Sequence, residues 1–493
     1  MILIQKQKKE KKIIFVSLNS PQRLFLFISL HIFVIMEKRW DRMKKYFFLL
    51  LTLCLVTGCQ NTSHKLLTFP FSNEWRNHYQ VNVQLDPSQH MYHSKMEMTL
   101  KNTSQDVWNE IVFRDYPSQF KDEKDGGMSL IQKVMTSTGE PLDYRRLDDP
   151  TAVEVILNTP LAPNETFTFS MEYQAYVPNL NARFGYVENK AGIIDFYLGN
   201  SLPILAVYED GQWVTEPYFS DGECFYSEVA DYSVAITAPD DFTIIGTGDK
   251  LSTSRSTNQK TVTYEALSVR DYALVIGNDY QCVSQIEDNI LYNSYYHSAN
   301  QNIGIGSLIT LINETKDLNR QLGRYPYQTL NTVETYMDMQ GMEYPQLIMI
   351  SQSMHGNEST IRHELVHQWF YNIVGNNGYQ AAWLDESIAT YLAENGLSEQ
   401  IGRIDQSYGE YPDENSYVQA MYFCGGSMYT RLANRFGKDK LLMILQEYLS
   451  VYAYSETKTK DLLKMLINGL GEESLDIFKD YFDENVLTEA SVQ

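Results

Sequence analysis

Apolar and polar positions alternate along much of the first half of the chain. Tyr79, Val81, Val83 and Leu85 are separated by polar residues, as are Met96, Met98 and Leu100, and again Phe167, Phe169, Met171 and Tyr173. A period of two puts every second side chain on one face, so these runs predict half-buried strands. Turn-forming stretches such as Leu161-Ala162-Pro163-Asn164 and Ala238-Pro239-Asp240-Asp241 fall between them, and the alternation resumes at Tyr232, Val234 and Ile236 and at Val262 and Tyr264. Residues 66–295 therefore read as an all-β domain. From Ile303 the period lengthens, with Leu308, Leu311, Ile312, Leu318 and Leu322 on one face of a helix, and residues 296–493 read as mainly helical. One stripe in that half joins Ile361, Leu365, Trp369 and Ile373 to Val366, Phe370 and Val374. It predicts a single buried helix from Glu358 to Val374, ended near Gly375. The fold class is thus α+β and multidomain, as 493 residues exceed one ordinary core.

The first 65 residues break this pattern. Met43 to Gly58 carries Lys44 and Lys45, then an apolar run through Val56, then small residues before Cys59, which is the form of a secretory signal. Val56-Thr57-Gly58-Cys59 resembles the bacterial lipobox. The resemblance implies a leader over 1–58, a lipid on Cys59, a polar segment over 59–65, and a bacterial membrane protein tethered on the extracytoplasmic face. A plain signal peptide or an uncleaved anchor is the alternative reading. Leu24 to Ile35 is a second apolar run, short for a membrane span and preceded by lysines, so residues 1–42 read as lying ahead of the true start at Met43.

Charge sharpens the picture. The net formal charge is -22, and 11 of the 40 Lys and Arg fall within the leader, so the chain beyond Gly58 is strongly acidic. No basic block remains to bind a phosphate backbone, which excludes nucleic acid as a partner. Cys224, Cys282 and Cys424 are scattered, with no Cys-x-x-Cys spacing, and are expected to be small buried hydrophobes.

The candidate chemistry lies in the helical half. His363-Glu364-Leu365-Val366-His367 sits within the predicted buried helix, where positions i and i+4 lie one above the other and aim two imidazoles at one cation. Glu364 then stands beside the metal. A catalytic zinc takes three protein ligands and leaves one position for water, and Glu386, separated from His367 by 18 residues, supplies the third from a second helix. Burying two imidazoles and two carboxylates without partners is costly, whereas a divalent cation satisfies them. One Zn2+ per chain is expected, with Glu364 free to take a proton from water.

This motif, its spacing and the Trp383-Leu384-Asp385-Glu386 context resemble the aminopeptidase N family of gluzincin zinc peptidases. Gly341-Met342-Glu343-Tyr344-Pro345 lies where that family keeps a Gly-x-Met-Glu-Asn strand, and Tyr422-Phe423-Cys424-Gly425 matches its Tyr-x-x-Gly segment. The resemblance spans roughly residues 70–455, more in order and pattern than in identity across the β half. It implies a saddle-like all-β domain followed by a thermolysin-like catalytic domain. It further implies that Tyr422 stabilises the oxyanion and that Glu343, with Met342 and Gly341, binds the free amino end of a peptide, so that N-terminal residues are removed one at a time. Departures are Gln340 and Tyr344 in the strand motif, expected to alter the approach to substrate, and Ser387 after the third ligand. The 107 residues after Glu386 are few for a large helical C-terminal domain, so the cleft is expected to be open on one side. Two other readings remain: a thermolysin-like zinc endopeptidase, and a surface lipoprotein that binds peptides without cleaving them.

Overall fold

A computed structural model describes residues 66–491 apart from 72–73, 123–125, 220–221 and 395. The leader, Met43 and Cys59 lie outside the described residues. Among those described, no helix is long and apolar enough to cross a membrane.

Alternation builds the N-terminal part. Along Asn77–Asp86 every second residue is buried, and the strand sits in the middle of a seven-stranded sheet. It pairs antiparallel with Met91–Lys101 and parallel with Ala230–Pro239, so the pairing of its two neighbours buries one face of each. Two four-stranded sheets complete this part. In one of them Ile194–Leu198 and Leu274–Gly277 are buried along their whole length, as befits strands covered on both faces.

The second part opens with a five-stranded sheet in the order Tyr280–Glu287, Ile290–His297, Thr329–Thr335, Leu347–Ser351, Gly341–Met342. Three of these strands run parallel, and the first parallel connection is helix α1, Gln301–Leu322, crossing between Ile290–His297 and Thr329–Thr335. The hairpin from Tyr280 to His297 therefore belongs to the sheet of the metal motif. Its two strands, read from alternation alone as part of the all-β half, join a sheet with strands of the second half. Alternation reveals a strand but not the sheet it joins. Cys224 and Cys424 are buried as expected, whereas Cys282 is exposed, because Tyr280–Glu287 is an edge strand facing solvent along most of its length.

Helices α2 (Glu358–Val366), α3 (Glu386–Ala393), α4 (Gly425–Phe436), α5 (Lys438–Tyr452) and α6 (Thr459–Leu470) follow. The α+β division is as expected, with one hydrophobic core running through both parts. The helix expected to reach Val374 instead stops at Val366. Beyond His367 the chain turns, and Tyr371 takes φ 121°, a strained value for a residue with a side chain. Arg270 Nε holds the Tyr371 carbonyl at 2.5 Å, and the Tyr371 hydroxyl donates to Asp271 Oδ2 at 2.5 Å. Trp369, Phe370, Ile373 and Val374 are still buried, so the apolar stripe marks the core correctly. A segment buried on all sides carries no period to reveal where its helix ends.

Candidate metal and peptide site

Helix starts set the site. Asn357 Oδ1 accepts the Thr360 N–H at 3.0 Å and begins α2, which carries His363 and Glu364 and has His367 as its C-cap. Asp385 Oδ1 accepts the Glu386 N–H at 2.9 Å, making Glu386 the first residue of α3, and α2 and α3 pack side by side. His363 Nε2 lies 3.1 Å from Glu386 Oε2, His367 Nε2 lies 3.6 Å from the same oxygen, and the two Nε2 atoms are 3.3 Å apart. His367 Nδ1 lies 3.1 Å from the Phe370 carbonyl, which keeps a proton on Nδ1 and turns the Nε2 lone pair toward the centre.

Two ring nitrogens and a carboxylate oxygen crowded this closely need a proton or a metal cation shared between them, and neutral imidazole with carboxylate is a donor set that zinc favours. The residues present therefore fit the metal. Among the described residues no other trio of His, Cys, Asp or Glu brings its ligand atoms within 4.8 Å of one another.

The trio opens onto a cavity of about 570 Å³ whose wall includes Glu364, Tyr422, Gln340 and Gly341. Burial, then the charge of Glu343, pushes the Glu364 carboxyl well above the usual carboxylate range. Burial, then the charge of Glu386, pushes the Tyr422 phenol well above its ordinary value, so it stays a neutral donor. The Tyr422 ring stacks on His363 at 5.8 Å. It rides on a π-helical turn, Gln419–Cys424, in which the Gly425 N–H bonds the Ala420 carbonyl five residues back.

The strand motif divides by alternation. A Cβ on Gly341 would lie 2.4 Å from Glu364 Oε1, so glycine is what lets the two approach. Glu343 is on the same face and almost wholly buried, its carboxyl raised by burial. Met342, the residue between them, has a fully buried side chain. Tyr344 faces away from the cleft. Its hydroxyl donates to Asn200 Oδ1 at 2.7 Å, and a Cβ on Gly199 would lie 2.0 Å from that hydroxyl. Of the two departures in the strand motif, Gln340 lines the cavity and the Tyr344 side chain is held in the β part instead.

Three contributors carry no sequence signature of their own. Gln368 Nε2 donates to the carbonyls of Glu343 at 3.1 Å and Tyr344 at 3.2 Å, tying the strand to the residue beside His367. Its place next to the motif is the one available signal. Glu223, from an irregular segment of the β part, lines the cavity and hydrogen-bonds the third ligand. Burial, then the charges of Glu343 and Glu386, raises the Glu223 carboxyl far above the usual range. Burial opposes the charge of Glu386, but its bond with Glu223 and the nearby His367 hold it well below that range. Buried Arg183 adds positive charge beside Glu223 and Glu343. Neither Glu223 nor Arg183 lies in a periodic element or a motif, so no local signal marks them.

Comparison with known proteins agrees with this arrangement. Residues 331–414 match the peptidase family M1 domain, a span that holds Glu343, Glu364 and the His-His-Glu trio and stops short of Tyr422. Aminopeptidase 2 of Candida albicans is 23% identical over 282 residues, which are 48% of this chain and 30% of that protein. Aminopeptidase M1-B of Oryza sativa subsp. japonica is 28% identical over 160 residues, 27% of this chain and 18% of that protein. The chain thus spans less than a third of the length of these curated relatives. An M1 zinc metallopeptidase from Deinococcus radiodurans superposes with a TM-score of 0.62 at 17% identity, covering 86% of this chain and 97% of that one. A two-domain M1 zinc metallopeptidase bound to L-arginine gives 0.62 at 17% identity, covering 84% and 95%. Residues 331–414 thus match a peptidase family M1 domain, and in the order of its motifs and in its fold the chain is similar to the aminopeptidase N-like gluzincins.

Proposed function

We propose that this protein is a zinc-dependent aminopeptidase that removes N-terminal residues from peptides. The observation that carries the reading is the convergence of His363, His367 and Glu386 on one point, with Glu364 and Tyr422 on the wall of the same cavity. One bound zinc supplies a Lewis acid for the scissile carbonyl and lowers the pKa of water. Glu364, on the cavity wall beside the trio, would accept a proton from the attacking water on its carboxylate and deliver it to the leaving amine. Tyr422 donates a hydrogen bond to the carbonyl oxygen as negative charge develops there. Glu343 and Glu223 are close enough to the trio for their charges to act on it. An α-ammonium lodged between them would relieve that crowding, and this favours cleavage after the first residue.

A free peptide and its N-acetylated form, assayed with and without a chelator, test the reading. Cleavage of the free peptide alone, abolished by chelation and lowered about 10³-fold in kcat by Glu364→Gln, is expected. Internal cleavage of the acetylated peptide would instead mean an endopeptidase, and full zinc with no cleavage of either would mean a binding protein. From the Val56-Thr57-Gly58-Cys59 pattern alone, we also infer a lipid tether on Cys59 facing the outside of the membrane. Expression of the full chain in bacteria fed labelled palmitate, with Cys59→Ser as control, tests it; equal label in both would overturn it.

A further inference from the structure

The geometry points to Ser387 as a positioning residue for the proposed oxyanion donor. Ser387 follows the third ligand on α3 and is fully buried. Its hydroxyl donates to the Met421 carbonyl at 2.7 Å, one residue before Tyr422 and within the π-helical turn that carries it. A π turn widens the helix and shifts its carbonyls out of the ordinary i to i+4 register, so an outside donor is what such a turn needs to hold one shape. Ser387 supplies that donor from the helix that also supplies Glu386.

Glycines opposite this serine make the contact possible. A Cβ on Gly425 would lie 1.8 Å from Ser387 Oγ, and one on Gly426 would lie 2.4 Å from Leu397 Cδ1 and 3.1 Å from Thr390 Cγ2. Gly425 has φ -64°, so it is needed for closeness and not for a special backbone. With both glycines in place, α3 and the start of α4 approach until the serine hydroxyl fits between them. Ser387 is one of the departures from the aminopeptidase N pattern noted above, so the latch belongs to this chain's own residues. Glu386 and Tyr422 thereby hang from one rigid joint, and the distance between the metal trio and the phenol is set by the bond from Ser387 to Met421. A positioning residue acts on kcat, because the donor is needed where charge develops and hardly at all when substrate first binds.

This inference rests on the reading of Tyr422 as oxyanion donor, and a double-mutant cycle separates the two. Ser387→Ala is expected to lower kcat about 10-fold with KM within about 2-fold and zinc content unchanged, as a slightly misplaced donor would. In the Tyr422→Phe background the same change is expected to alter kcat by less than about 2-fold, because no donor remains to be positioned. Ser387→Gly, which adds no atoms, repeats the cycle if the alanine variant folds poorly, with bound zinc as the check on folding. Equal losses in both backgrounds would overturn the positioning role while leaving Tyr422 as donor. An unchanged kcat in Tyr422→Phe alone would sink the donor reading and this inference with it.

Discussion

At Gly341 one absent Cβ decides where the proposed general base sits. The Glu364 carboxylate occupies the space a side chain would need, at 2.4 Å from the position of the missing atom. Gly341→Ala is therefore expected to displace Glu364, which its Cβ would strike, while leaving the His-His-Glu trio in place, lowering kcat about 100-fold with zinc still bound. Single-turnover kinetics with metal analysis check this, and a kcat within about 2-fold of the parent would refute the packing argument. Residues such as His363, His367 and Glu364 are legible in the sequence because their relation needs only a local helix. Tyr344 is not, since its direction depends on Asn200, which lies 144 positions away in the β part. Glu223 is illegible for the same reason: its value to the site comes from where a long irregular segment ends up, not from its own neighbours.

Whole elements are legible where one face is wet. Asn77–Asp86 and Ala230–Pro239 alternate strictly, and both form strands with the expected inward residues. Where an element is buried on every side the period vanishes, which is why α2 stops at Val366 unannounced. Alternation is also silent on partners, which is why the hairpin from Tyr280 to His297 reads as belonging to the β part. That hairpin carries a testable charge arrangement. His297 Nε2 lies 2.7 Å from Asp195 Oδ2 on the buried strand Ile194–Leu198, and its Nδ1 lies 3.4 Å from Glu334 Oε1 on Thr329–Thr335. Burial opposes its charge, but the bonds to Asp195 and Glu334 outweigh it and push the imidazole up to about 9. Buried His355, 3.7 Å from Glu334 and pushed down to about 4 by burial, stays neutral beside it, and Tyr280 and Tyr336 stack on the His297 ring. A histidine whose folded pKa exceeds its ordinary value of 6.5 adds stability that is complete below 6.5 and is lost as pH rises through about 9. The thermal midpoint should thus fall between pH 7 and 10 more in the parent than in His297→Gln. Parallel slopes for the two proteins would refute the charged histidine.

At the scale of the molecule, a single buried cation is shared among backbone carbonyls of the β part and of the metal-bearing part. Arg270, on the β side of the division, is almost wholly buried. Its Nη1 donates to the Ser227 carbonyl at 2.8 Å and to Glu456 Oε1 at 2.5 Å, its Nη2 to the Ser455 carbonyl at 2.8 Å, and its Nε to the Tyr371 carbonyl beyond the metal helix. A Cβ on Gly375 would lie 2.1 Å from its Cζ, so the chain has made room for the guanidinium at the expense of a side chain. Removing one partner of a buried pair strands the other in a poor solvent, at a cost of about 3–5 kcal/mol. Arg270→Met keeps the apolar stem and deletes the donors, leaving several carbonyls and the Glu456 carboxylate without them. Because those acceptors belong to the β part, to the turn after the ligands and to the segment before α6, the loss should loosen all three together. Differential scanning calorimetry of Arg270→Met is expected to give one transition at a markedly lower midpoint, with bound zinc lost in the same transition. If the variant instead unfolds in two steps, with the β part keeping the parent's midpoint, Arg270 is a local brace and the two parts are joined by the apolar core alone.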